Sequence, residues 1–74
     1  MRIAVVGSSV VEAVEYDEAR ERLDVWLRTG RVYRYLDVPA EIYRAFMNAE
    51  SKGRHYNDHI RDVYLYERLG GSKR

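Results

Sequence analysis

The strongest constraint in this chain is a two-residue alternation on both sides of a dipeptide turn. Leu23, Val25 and Leu27 alternate with Asp24, Trp26 and Arg28, a period that a strand satisfies and a helix does not. Thr29-Gly30 follows, with a glycine free to take positive φ, and the alternation resumes in Arg31-Val32-Tyr33-Arg34-Tyr35-Leu36. An antiparallel hairpin is the expected result. A further strand is expected from Val10 to Tyr16, separated from it by the polar turn Asp17-Glu18-Ala19-Arg20. Ile3 to Val6 offers an additional short edge strand, and Val63 to Leu69 alternates again as a closing strand, so the sheet counts four or five strands.

Between these strands the pattern changes to a helical one. Pro39 is expected at the first helical position, with Asp37 and Glu41 near the positive end of the dipole. The helix then runs to about Glu50, with Ile42, Ala45, Phe46 and Ala49 as its apolar stripe and Gly53 as its C-terminal cap. Asn57 is placed to cap a second, short helical segment through Arg61. The fold class is therefore α+β: a small antiparallel β-meander packed by one main α-helix, with a short second helical segment.

Length and composition limit what such a fold can do. The 74 residues hold one domain, read as residues 1–69, with 70–74 as a flexible glycine-containing tail. The chain has no Cys, so disulfides and thiolate metal sites are excluded. The apolar run near the start is too short for a signal peptide or a membrane span, which makes a cytoplasmic location the expectation. Net charge is +1, but residues 1–30 carry four Arg against six acids, and residues 31–74 carry nine Arg and Lys against six acids. Eleven of the thirteen cations are Arg, whose planar fork suits phosphate and aromatic faces.

Two groups of residues point to chemistry. Tyr33 and Tyr35 stand two apart on a strand and so share one face with Arg31, a pair of rings about 7 Å apart that stacked bases could match. The competing reading packs both tyrosines under the Pro39 helix, because Arg34 between Val32 and Leu36 makes the other face a poor core face. Arg54, Tyr56, Arg61, Tyr64, Tyr66 and Arg68 interleave cations with aromatics, as single-strand grooves do. Internal cation–π pairs explain the same letters, and Asp58, Asp62 and Glu67 dilute the field. His55, His59 and Asp62 would share a helical face in zinc-compatible fashion, but H-E-x-x-H is absent and no metal is expected. Ile3 to Ser9 lacks the G-x-G-x-x-G of a dinucleotide fold, and the serines have no identifiable triad partners. No catalytic residue is assigned.

Ser8-Ser9, Tyr16-Asp17, Gly30, Tyr33-Arg34-Tyr35, Val38-Pro39, Ala49 to Gly53, Tyr56-Asn57 and Ile60-Arg61 together resemble the KTSC domain family over about residues 7 to 68. That family is named for a domain at the C-terminus of some lysyl-tRNA synthetases and also occurs as short stand-alone bacterial proteins. The resemblance implies no established activity and suggests RNA binding through the synthetase association. The expected function is a non-enzymatic binding module without a cofactor, taking tRNA or single-stranded or loop RNA through Tyr33, Arg34, Tyr35, Arg31, Arg54, Tyr56 and Arg61. The alternative is a protein-interaction or self-association domain using the same surface or an open strand edge.

Overall fold

The computed structural model describes residues 3–69. The tail expected at 70–74 lies outside them. Five strands, β1 (Ile3–Val5), β2 (Val11–Asp17), β3 (Arg22–Leu27), β4 (Val32–Tyr35) and β5 (Tyr66–Arg68), form one antiparallel sheet in the order β1-β2-β3-β4-β5. Helices α1 (Ala40–Asn48) and α2 (Lys52–His59) fill the connection between β4 and β5.

The hairpin predicted around Thr29-Gly30 is present and its register is set by the alternation itself. Leu23 pairs with Tyr35 and Val25 with Tyr33, so the apolar residues of both strands face the same side. Gly30 takes φ +96° and donates its N–H to the carbonyl of Leu27 at 3.0 Å, which closes the turn. At the β2–β3 turn Asp17 accepts from the Arg20 backbone N–H at 3.2 Å and from its guanidinium at 3.2 Å. Val14, Leu23, Val25 and Tyr35 form the sheet side of the core, and Phe46 from α1 with Tyr56 and Ile60 close it from above. On the opposite face Trp26 lies in register between Ala13 and Val32, and both of these are buried.

The helical half departs from the expected boundaries. Pro39 stands at the N-cap with ψ 151°, one residue ahead of the first helical position, and its carbonyl accepts from Ile42 N–H at 3.0 Å. The helix ends at Asn48, two residues early, because Ala49 is already extended at ψ 142°. Its packed face is Ile42, Tyr43, Phe46 and Met47, and Ala45 is exposed. Long side chains span a gap that alanines cannot, and Tyr43 stacks on Tyr16 with centroids 4.7 Å apart.

Gly53 does not terminate α1, and Asn57 does not start α2. Ser51 caps α2, its hydroxyl accepting from Arg54 N–H at 3.4 Å, and Asn57 lies inside the helix. Gly53 is buried on the face that crosses the start of β2, where a methyl group would lie 3.0 Å from Val10 Cγ2. Its small size serves the crossing. The closing strand is likewise shorter than Val63 to Leu69. Val63 N–H turns back to the Ile60 carbonyl at 3.2 Å, so the chain is still in a turn there, and the ladder begins only at Tyr66.

Substituting Gly53→Ala should destabilise the domain despite the better helix propensity of alanine. Overpacking against β2 costs about 1–3 kcal/mol, more than the 0.5–1 kcal/mol or so of propensity gained. A double-mutant cycle with Val10→Ala, read by denaturant unfolding, should recover part of the loss, since the Cβ of residue 10 still lies 3.2 Å from the new methyl. Additive effects would show that the two residues do not press on each other.

Candidate functional site

Because β4 alternates, Tyr33 and Tyr35 both project to the face covered by the helices, but they end in different surroundings. Tyr35 is 1% exposed and Tyr33 half-buried at the margin. α2 brings Tyr56 over this margin, and the Tyr35 and Tyr56 hydroxyls meet at 2.5 Å. β5 supplies Tyr66 directly opposite Tyr35 in register. Its ring stands edge-on to Tyr33 at 5.0 Å and tilted against Tyr35 at 5.7 Å.

These four tyrosines border a hollow of about 440 Å³. Arg31 and Arg28, from the end of the β3–β4 hairpin, reach one side of it, and Arg61, just beyond α2, reaches the other with Asp62. Among the described residues Arg28, Arg31 and Arg61 take part in no ion pair. Arg28 is positioned by donating its Nε–H to the carbonyl of Ser8 at 2.8 Å. The hollow therefore combines aromatic surface with three uncompensated guanidinium groups and one carboxylate, a set suited to a planar anionic ligand.

Of the residues expected at the site, the fold brings together Arg31, Tyr33, Tyr35, Tyr56 and Arg61 at the hollow. It does not bring Arg34 there. Arg34 lies on the opposite sheet face and grips Asp24 with a two-pronged bond, Nε to Oδ1 at 2.9 Å and Nη2 to Oδ2 at 3.1 Å. This partner raises its already high pKa. Arg54 is exposed on α2, outside the lining of the hollow, and sits 3.9 Å from Asp58. Sequence reasoning did not single out Arg28, which strand parity assigns to the outer face. Only the geometry of the hairpin turn carries it to the hollow.

The imidazoles of His55 and His59 lie 4.6 Å apart, but among the described residues no three metal-ligating side chains come together, and Asp62 borders the tyrosine hollow instead. His55 packs on Phe46, and its Nδ1 is buried with no hydrogen-bond partner. Burial, with help from neighbouring His59, pushes its pKa down.

Comparison with known proteins fits this architecture. Residues 7–64 match the KTSC domain family. The chain belongs to that family. A crystal structure of a KTSC domain protein from Yersinia pestis superposes with a TM-score of 0.89 at 32% identity, covering 93% of this chain and 97% of that one. An uncharacterized protein of Stutzerimonas stutzeri is 37% identical over 93% of this chain and 99% of its own length. A lysine–tRNA ligase of Nostoc punctiforme is 33% identical over 82% of this chain, which spans 11% of the ligase. The KTSC fold thus occurs both as a small protein and as a minor part of a synthetase. No helix among the described residues is long and apolar enough to cross a membrane.

The tyrosines also give the domain an alkaline limit. Burial raises the pKa of Tyr35 far above the ordinary value, and the hydroxyl bond to Tyr56 adds to this. Burial likewise raises Tyr56, and it raises Tyr16 with help from Glu21 and Glu18. A phenol whose folded pKa exceeds its unfolded value stabilises the fold fully below the unfolded pKa, and that contribution is lost as pH rises toward the folded pKa. Stability should therefore fall once pH passes about 10, with these three tyrosines ionising at higher pH in the folded chain than a free phenol does. Phenolate absorbance and circular dichroism followed along one titration check this. Ionisation of all seven tyrosines at the pH of a free phenol, with the fold intact, would contradict it.

Proposed function

We propose that this KTSC domain is a non-enzymatic binding module that takes single-stranded or loop RNA in the tyrosine–arginine hollow. The observation that carries the reading is the convergence of Arg28, Arg31 and Arg61, none in an ion pair among the described residues, on a hollow walled by Tyr33 and Tyr66. Unpaired bases stack on aromatic rings, while arginine neutralises the phosphates beside them. On the other face, among the described residues, Arg34 is neutralised by Asp24, and Arg22 lies among the carboxylates of Glu15, Asp17 and Asp24 with no tyrosine beside it. Duplex readout is disfavoured, because α1 carries a single arginine, Arg44, and α2 has Gly53 and Tyr56 buried against the sheet. Kinship with part of a lysine–tRNA ligase from Nostoc punctiforme is in keeping with an RNA ligand and with work in the cytoplasm.

A titration of the domain into tRNA and short single strands at two salt concentrations tests this. Affinity should be weak and fall as salt rises. Arg31→Ala and Arg61→Ala should each reduce the slope of log affinity against log salt by about 0.7. Arg34→Ala, on the other face, should bind as the parent does. If no RNA binds at low salt, or if the three variants behave alike, the hollow is not an RNA site. The exposed apolar residues Val5 and Leu65 beside the sheet edges would then favour a protein partner, whose binding changes little with salt.

A further inference from the structure

Resting on the reading of the hollow as an RNA site, we infer that it seats one unpaired nucleotide with its base inserted, and does not track a strand along successive rings. Its volume of about 440 Å³ lies in the lower part of the range for a single small-molecule ligand, about 300–1,000 Å³. Its rings do not form parallel steps. Tyr33 and Tyr66 meet at 83°, and Tyr33 and Tyr35 at 56° with centroids 6.3 Å apart, so the walls make a corner that accepts one flat group. A strand track needs exposed faces in sequence, and here Tyr35 and Tyr56 are 1% and 2% exposed.

The floor carries a second sign of a base edge. Each tyrosine hydroxyl has one proton to donate, and in a pair only one proton lies between the two oxygens. The Tyr35–Tyr56 pair therefore keeps one O–H, and among the described residues neither hydroxyl has another protein partner. A buried donor left over beside the hollow is suited to an acceptor that reaches the floor, such as a ring carbonyl or ring nitrogen of a base. At the rim Arg31 and Arg61 are placed for the phosphate, and Asp62 can accept from a ribose hydroxyl. The same chemistry is presented by a free mononucleotide and by one nucleotide of an RNA loop.

The experiment is competition against a labelled single-stranded RNA bound to the full chain. Nucleoside 5′-monophosphates and ribose 5-phosphate, which keeps sugar and phosphate but lacks the base, are the competitors. The mononucleotides should displace the strand, with ribose 5-phosphate weaker by about tenfold, the effect of losing one stacked base. The double variant Tyr35→Phe with Tyr56→Phe removes both hydroxyls together and strands neither, so it should fold. It should weaken mononucleotide binding by about fivefold while ribose 5-phosphate is unchanged. Tyr66→Ala, at a ring 55% exposed, gives a second variant that should narrow the same gap without depending on the core. Equal competition by ribose 5-phosphate, or undiminished mononucleotide binding in both variants, overturns the inference. Strand binding that mononucleotides cannot displace overturns it too and leaves the broader RNA reading standing, whereas failure of every RNA to bind removes both.

Discussion

α2 is the element on which the candidate site depends, and it is held to the sheet by a contact between one strand and one helix. The Tyr35 and Tyr56 rings meet edge-on with centroids 5.9 Å apart, and their hydroxyls share a hydrogen bond. The ring pair contributes about 0.5–1.5 kcal/mol beyond the area it buries, and the bond adds about 1 kcal/mol net. Neither is large in itself. The bond matters because removing one partner strands the other, a penalty of about 1–3 kcal/mol in a domain this small. Gly53 complements the contact: with no side chain there, α2 can approach β2 closely enough for Tyr56 to reach Tyr35. Ile60, wholly buried, then pins the chain as it leaves the helix and swings Arg61 and Asp62 toward the hollow.

The two faces of the sheet use arginine differently. On the outer face Arg34 and Asp24 sit opposite each other in register, and the fork geometry holds two charges where β3 and β4 would otherwise expose them. With side chains 31% and 14% exposed, the pair is screened only in part, and its worth lies as much in fixing register as in stability. On the helix-covered face the rim arginines have no such partners among the described residues, so their charge remains available to a ligand. A +1 net charge conceals this division, because it averages neutralised and available cations.

What was legible in the sequence follows from the range of the interactions concerned. The strands β2, β3 and β4 and the turn at Gly30 are specified by neighbours within a few residues, and alternation reports them directly. α1 was legible for the same reason. The start of α2 was misread because Gly53 satisfies two rules at once: a glycine after a helix can be a cap, and a glycine within one can be a crossing point. Only the position of Val10, 43 residues earlier in the chain numbering, decides between them. The shortened β5 has a similar origin, since the alternation from Val63 onward is real but the backbone is still committed to the turn after Ile60. At the site, parity placed Tyr33, Tyr35 and Arg31 on one face correctly, and the same rule put Arg34 on the other. Arg28 escaped it because parity ends where the hairpin turns.

Core and binding readings of the tyrosines are reconciled by position along the sheet. Residues two apart on a strand share a face but not a depth, and here the edge of α2 falls between them. Tyr35 lies under the helix with Tyr56, where burial suppresses ionisation and makes both rings structural. Tyr33 and Tyr66 lie just beyond that edge, still braced by the buried pair yet open on the side of the arginines. A rigid pair supporting an accessible pair limits how far the outer rings can move, so little order need be imposed on them when a ligand arrives. In a domain of this size, a corner built at the margin of the core is a way to obtain preorganised aromatic surface without excavating the core itself.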